Sequence, residues 1–299
     1  MTEQMQNSSN RLIHRLRGST QAKGLLLISP TMLYLLVLLI IPLLLVLTLS
    51  FLSRGVYGQV VLRFNTENYS RLLDPLYLRI LLNSLWIALL TTGGTILIGY
   101  PLAYYISKAP RRRRSFLIFL ILVPFWTNFI IRIYAWIMIL RSEGLLNNLL
   151  IQLGLIQTPL EILYTPVAVL IGMIYEFLPF MILPLYASLE KIEPSQFEAA
   201  ADLGARPRNV FLHVTLPLSL PGSVAGTLLV FIPAMGMFVV PDLMGGAKTM
   251  LVGNLIKNQF LTARDWPFGA AASMVLMLLT LAFTLLYTRR TGFGEELLA

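Results

Sequence analysis

Few residues in this chain are equipped for covalent chemistry. Cysteine is absent and only two histidines occur, His14 and His213, so thiolate nucleophiles, disulfides and multi-histidine metal sites have no ligands to use. There is no H-E-x-x-H run, and Gly222-Ser-Val-Ala-Gly226 sets its serine one place away from the G-x-S-x-G nucleophile elbow. No G-x-x-x-x-G-K-[ST] loop is present to cradle phosphates. The chain is therefore predicted to have no catalytic, cofactor-binding or metal site, and to be no enzyme. What remains is a sparse set of acids with aromatic neighbours. Glu176 is the only carboxylate well inside an apolar stretch, where a charge costs about 2.5 to 3.5 kcal/mol. It must either face a polar cavity and meet a cation, or pair with a cation such as Arg132. Asp242 stands just before Gly245 and Gly246, as a cation-receiving carboxylate or as a solvated turn acid. Asp265, beside Trp266 and Pro267, reads better as a turn acid. Phe125, Trp126, Tyr134 and Trp136 supply rings near Asn128, each otherwise a lipid-facing or interfacial aromatic. Arg132 is expected near an interface or paired with an acid.

The elements that must hold these residues are membrane spans. The 299 residues are 57% hydrophobic and only 12% charged, against about 25% charged in soluble domains. About 20 apolar residues cross a hydrocarbon core of about 30 Å as a helix, and stretches at 25–52, 80–106, 115–140, 166–189, 217–240 and 268–288 meet that length. Helix is the only open choice, because backbone groups in lipid must be satisfied within the segment. The first run is too long for a signal-peptide h-region and is read as a retained anchor. Pro42, Pro124 and Pro179 predict kinks. Gly222 and Gly226 form a small-xxx-small pair at the start of the fifth span.

Charge placement sets orientation. Of the lysines and arginines, fourteen lie in the N-terminal tail, the 107–114 and 190–216 loops and at Arg289 with Arg290, against eight in the loops of the other side. That bias puts both termini in the cytoplasm. The 111–114 arginine run is read as a topology and lipid-headgroup anchor, with a specific partner site as the other reading, and nucleic acid is not needed to explain it. The expected organisation is a cytoplasmic tail at 1–24, a transmembrane domain at 25–288 and a second tail at 289–299.

The 190–217 loop is the most informative segment. Pro194 and an alanine-rich stretch favour a helix over 194–203, which Gly204 ends. Pro207 suits the first turn of a second short helix bearing Val210, Phe211 and Val214 as an apolar stripe, and Pro217 is expected to close it. Two helices joined at a glycine, with Ala199 and Ala200 leaving room for close approach, make a docking element.

The run Glu198-Ala199-Ala200, three residues, Gly204, nine residues, Val214, one residue, Leu216-Pro217 resembles the EAA loop of binding-protein-dependent ABC importer permeases. That resemblance implies an all-α integral membrane protein with six transmembrane helices and a cytoplasmic two-helix coupling loop, the type I permease fold. It implies that Glu198, Ala199, Ala200, Gly204, Phe211, Val214 and Pro217 couple the chain to a separate ATPase, with 211–217 carrying movement into the fifth span. ATP and magnesium would sit on that partner. Segments 68–77, 123–128 with 132–134, 233–237, 242–248 and 264–270 are similar to the first permease of spermidine/putrescine importers, the PotB type. The implied cargo is a polyamine, with an importer for ferric iron or a phosphonate as the alternative. The implied partners are a second permease in a heterodimer, two ATPase subunits and a periplasmic or lipid-anchored binding protein, in the bacterial cytoplasmic (inner) membrane. Cations joined by methylenes need carboxylates, aromatic faces and apolar walls, so Trp126, Asn128, Tyr134, Glu176 and Asp242 are the expected pathway residues.

Overall fold

The computed structural model describes residues 20–291. Residues 1–19 and 292–299 of the predicted tails lie outside the described residues. Four helices are continuous and long enough to span: α1 (Thr20–Ser50), α3 (Pro75–Lys108), α7 (Pro166–Glu190) and α14 (Trp266–Thr291). A two-residue hairpin, β1 (Ser53–Arg54) with β2 (Val60–Val61), and the short α2 (Glu67–Leu72) link α1 to α3.

The third and fifth spans are not single helices, contrary to expectation. The third comprises α4 (Arg111–Leu122), a tight turn at Val123–Trp126 and α5 (Phe129–Leu140), followed by α6 (Leu145–Gln152). Its halves, Arg111–Trp126 and Phe129–Gln152, are bent by 95°. The cause is local: Pro124 cannot continue a helical ladder, Thr127 is extended at ψ 150°, and Asn128 starts a new helix by accepting from Ile130 N at 2.8 Å. What reads as a proline kink is a full break. In the fifth, Pro207–Leu218 and Leu220–Gly236 are bent by 59° at Ser219, with Pro221 opening the second piece. Helix α11 (Leu220–Gly236) then stops at the extended Met237, and α12 (Val239–Met244) follows as a separate turn.

At the centre lies α7, packed between α3 and α11. Lipid tails are as apolar as leucine, so close contact rather than water exclusion holds such helices together. A Cβ on Gly222 would stand 2.5 Å from Pro184 O, and one on Gly226 would stand 2.7 Å from Met181 Sδ. The small-residue pair is thus the seam between α11 and α7. By contrast, α1 exposes every side chain over 27–45 and has α14 as its chief helix neighbour. Its C-terminal carbonyls are capped by Asn68, whose Nδ2 donates to Ser50 O at 3.0 Å and Leu52 O at 2.9 Å.

Candidate coupling and transport sites

The 190–217 loop forms as its sequence suggests in its first half. Helix α8 (Pro194–Asp202) ends before Gly204, which sits at φ +76°. An L side chain is disfavoured there by its backbone alone, since nothing lies within 4 Å of an added Cβ. Glu198 and Ala199 are exposed, and Leu203 is 88% exposed. The second half departs from expectation. After α9 (Pro207–Val210) the chain widens into a π-turn at Phe211–Thr215 and passes through Pro217 within α10 (Leu216–Leu218), so Pro217 does not close the helix. The π-turn falls where the Pro217 ring would otherwise meet the carbonyl of His213. The break comes two residues later, at buried Ser219.

The loop is fastened to α3 as well as to α11. Phe211 presents its ring edge-on to Tyr100 and Tyr104, at 5.8 and 5.7 Å between centroids. Lys108 Nζ lies 3.4 Å from the centroid of the Phe197 ring. The Tyr100 hydroxyl meets Ser219 Oγ at 2.8 Å, at the bend itself. Val214 is half-buried and Pro217 exposed. The arginine run is divided: 111–113 are exposed, while Arg114 braces the loop's start through Glu190 Oε1 at 2.6 Å and donates to Ser107 O at 2.8 Å.

In the middle of the chain Glu176 is buried and paired. Arg132 Nη2 donates to Glu176 Oε1 at 2.6 Å, and Arg132 Nη1 donates to Pro124 O at 2.8 Å. The guanidinium also lies 4.7 Å from the Phe125 ring centroid. Arg132 therefore ties α7 to the broken third span and satisfies a carbonyl at the break, as lipid demands. Of the other expected pathway residues, Trp126 is 76% exposed against Phe119, Asn128 caps α5, and Tyr134 is exposed. Trp136 is half-buried, edge-on to Tyr175 at 5.4 Å. The structure does not gather these residues round Glu176.

Asp242 occupies a second site, at the far end of α11 from the coupling loop. Helix α12 seats Val240 and Met244 over Gly172 of α7, which leaves Asp242 facing α13 (Val252–Leu261). Its Oδ1 accepts from Asn254 Nδ2 and its Oδ2 from Lys257 Nζ. Beside it is a cavity of about 240 Å³ lined by Asp242, Gly246, Thr249, Met250, Asn254 and Asn258. Asp265 is a turn acid: it accepts from Phe268 N at 3.2 Å and pairs with Arg71 at 3.0 Å.

The family model described as the binding-protein-dependent transport system inner membrane component matches residues 95–289. The chain belongs to this family. The permease is 50% identical over 249 residues to the spermidine/putrescine transport system permease protein PotB of Salmonella typhimurium, covering 83% of this chain and 87% of that one. The PotB protein of Escherichia coli K12 is 49% identical over 249 residues, covering 83% and 90% of the two chains. A solved bacterial alginate ABC transporter, in complex with an alginate pentasaccharide-bound periplasmic protein, superposes with a TM-score of 0.71 at 18% identity, covering 94% of this chain and 98% of that one. The permease is thus an all-α, multi-pass inner-membrane protein of the type I permease fold.

Sequence reasoning treats 241–267 of the permease as a connecting loop and so misses α13, with Asn254, Lys257 and Asn258. The available signal is its apolar stripe: Val252, Leu255 and Ile256 recur at helical spacing between Leu251 and the Thr262 end. Asn68 is likewise missed as the cap of α1. It stands too far from Ser50 in sequence for any local capping pattern to register.

Proposed function

We propose that this permease is the membrane subunit of an ATP-driven polyamine importer, moving spermidine or putrescine that a binding protein delivers. The near-half identity to PotB along most of both chains is the observation that carries this reading. Glu198, Ala199, Ala200 and Gly204 form the bare surface that seats in a partner ATPase, which binds the ATP and magnesium. Phe211 and Val214 then pass the displacement onward. Because Phe211 rests on Tyr100 and Tyr104, the displacement reaches the second span together with the fifth, and Pro217 leads it to the bend at Ser219. Both spans grip α7, so the motion is a rocking of packed helices between inward-open and outward-open states. The remaining subunits are a second, different permease, two ATPases and a periplasmic or lipid-anchored binding protein. Both termini face the cytoplasm, on the side of the coupling loop.

On this reading Trp126, Asn128 and Tyr134 face the second permease across the pathway, Glu176 shapes the cavity wall through Arg132, and Asp242 receives cations at the outer mouth. The test is reconstitution of the full complex in liposomes, with labelled spermidine competed against putrescine, ferric iron and a phosphonate. Competition by putrescine alone supports the reading. Absence of labelled-spermidine uptake by the assembled complex overturns the polyamine assignment, and uptake independent of ATP overturns the coupling scheme.

A further inference from the structure

The geometry points to Lys257 as a tethered ammonium that occupies, on Asp242, the seat of a substrate ammonium group. The inference rests on the polyamine reading above.

The seat is built by Asn254, which is buried. Its Oδ1 accepts from Leu251 N at 3.2 Å, and its Nδ2 donates to Phe238 O at 2.9 Å and to Asp242 Oδ1. A carboxamide oxygen only accepts and its nitrogen only donates, so these partners fix the amide one way round. The amide in turn fixes one oxygen of Asp242. The other oxygen is left for a cation, and Lys257 Nζ takes it, 6.0 Å from the Phe238 ring centroid.

Three observations separate this pair from a structural bridge. First, it is the one ion pair among the described residues made by a lysine; the other four use arginine. A lysine side chain is a primary ammonium on four methylenes, the same unit as the aminobutyl end of putrescine or spermidine. Second, the Asp242 and Lys257 side chains are 33% and 29% exposed, so water competes with the contact and exchange is open. Third, the cavity beside the pair carries more acceptors than the chain uses. Thr249 Oγ1 is buried with no hydrogen-bond partner, Asn258 lines the same space, and Met250 offers an apolar wall. A polyamine that places one ammonium on Asp242 would direct its methylenes along Met250 and a second nitrogen to Thr249 and Asn258.

A transporter gains from such a placeholder. A pathway site must bind well enough to admit its substrate and weakly enough to release it. Lys257 reduces the fraction of free carboxylate, which weakens the apparent affinity by that fraction. On departure of the substrate it refills the seat, so that Asp242 is never left uncompensated.

The full complex, purified with its partner subunits, tests this through equilibrium binding of labelled spermidine to Lys257→Met, Asp242→Asn and the double variant, with the share held by the isolated binding protein measured separately and subtracted. Lys257→Met should tighten binding by up to about fivefold, the range of a part-exposed pair. Asp242→Asn should weaken it, and the double variant should match Asp242→Asn, because the gain needs the carboxylate. In the wild-type complex, brief trace acetylation of Lys257 by acetic anhydride, read by mass spectrometry relative to exposed Lys191 so that reagent consumed by the amines of spermidine cancels, should rise with spermidine and not with magnesium at equal total charge. If Lys257→Met weakens binding as Asp242→Asn does and the double variant recovers, the pair is structural and the placeholder is overturned. Protection of Lys257 by spermidine overturns it equally. A wild-type complex that binds no polyamine removes the polyamine reading and this inference with it, whereas the other failures leave polyamine transport intact.

Discussion

The two ends of the fifth span treat their acids in opposite ways. Where the 190–217 loop enters, Glu198 and Asp202 are exposed and make no ion pair among the described residues, beside an outward-facing Leu203. At the far end both oxygens of Asp242 are engaged, and Asp265 is buried against Arg71. The difference separates acids left open on the surface from acids that the chain itself occupies. A short helix of good formers stays folded without using its outer side chains, so those are free for a partner. Acids near the lipid must find cations within the chain.

The contrast can be broken hardest between the ends, at the buried pair. Glu176→Gln leaves the Arg132 guanidinium buried without its counter-charge and should cost about 3 to 5 kcal/mol of stability. Thermal melting of the purified permease reads this, and an unchanged midpoint would show that the pair does not hold α7 to the third span. Next is the far end: Asn254→Leu strips partners from Asp242, Phe238 O and Leu251 N and should cost about 1 to 3 kcal/mol, with weaker spermidine binding in the same preparation. Normal binding would mean that Asp242 needs no fixed orientation.

At the coupling end, Gly204→Val forces a β-branched residue to positive φ, at about 1 to 2 kcal/mol. Insertion should survive while ATP-driven uptake falls, and Gly204→Asn should do less harm. Full uptake by the valine variant would remove the turn from the coupling path. The smallest effect on stability belongs to Leu203→Asp, within about 0.5 kcal/mol because the side chain touches little. Its readout is co-purification of the ATPase, which should be lost; retention would place the docking surface elsewhere.

Much of this contrast is legible in the sequence because it depends on local residue types. Helices over 80–106, 166–189 and 268–288 follow from apolar length, and the α8 helix with its glycine stop follows from Pro194, the alanines and Gly204. The third and fifth spans mislead for the same reason: a hydropathy window counts apolar residues and ignores whether the ladder continues. The Pro124, Thr127 and Asn128 sequence does carry the break, as a helix stop followed by a cap. Glu176 pairing with Arg132 is one of two readings open from composition, and only three-dimensional packing selects it. Phe211 illustrates a further limit. Its apolar character marks it for burial, but nothing near it in the chain tells that Tyr100 and Tyr104, a hundred residues earlier, receive it.

The position of α1 has a consequence for biogenesis. Among the described residues, the first helix to be made has as its chief helix neighbour α14, the last of them. At about 5 to 20 residues per second, the interval between Ser50 and Trp266 is roughly 10 to 40 s. Through that interval α1 is held at its C-terminal end by Asn68 of α2, while its chief helix neighbour is still to be made. Its docking on α14 is then a late clasp, closed beside the pair that Arg71 of α2 makes with Asp265, and a chain released before Trp266 would keep its central seam without that clasp.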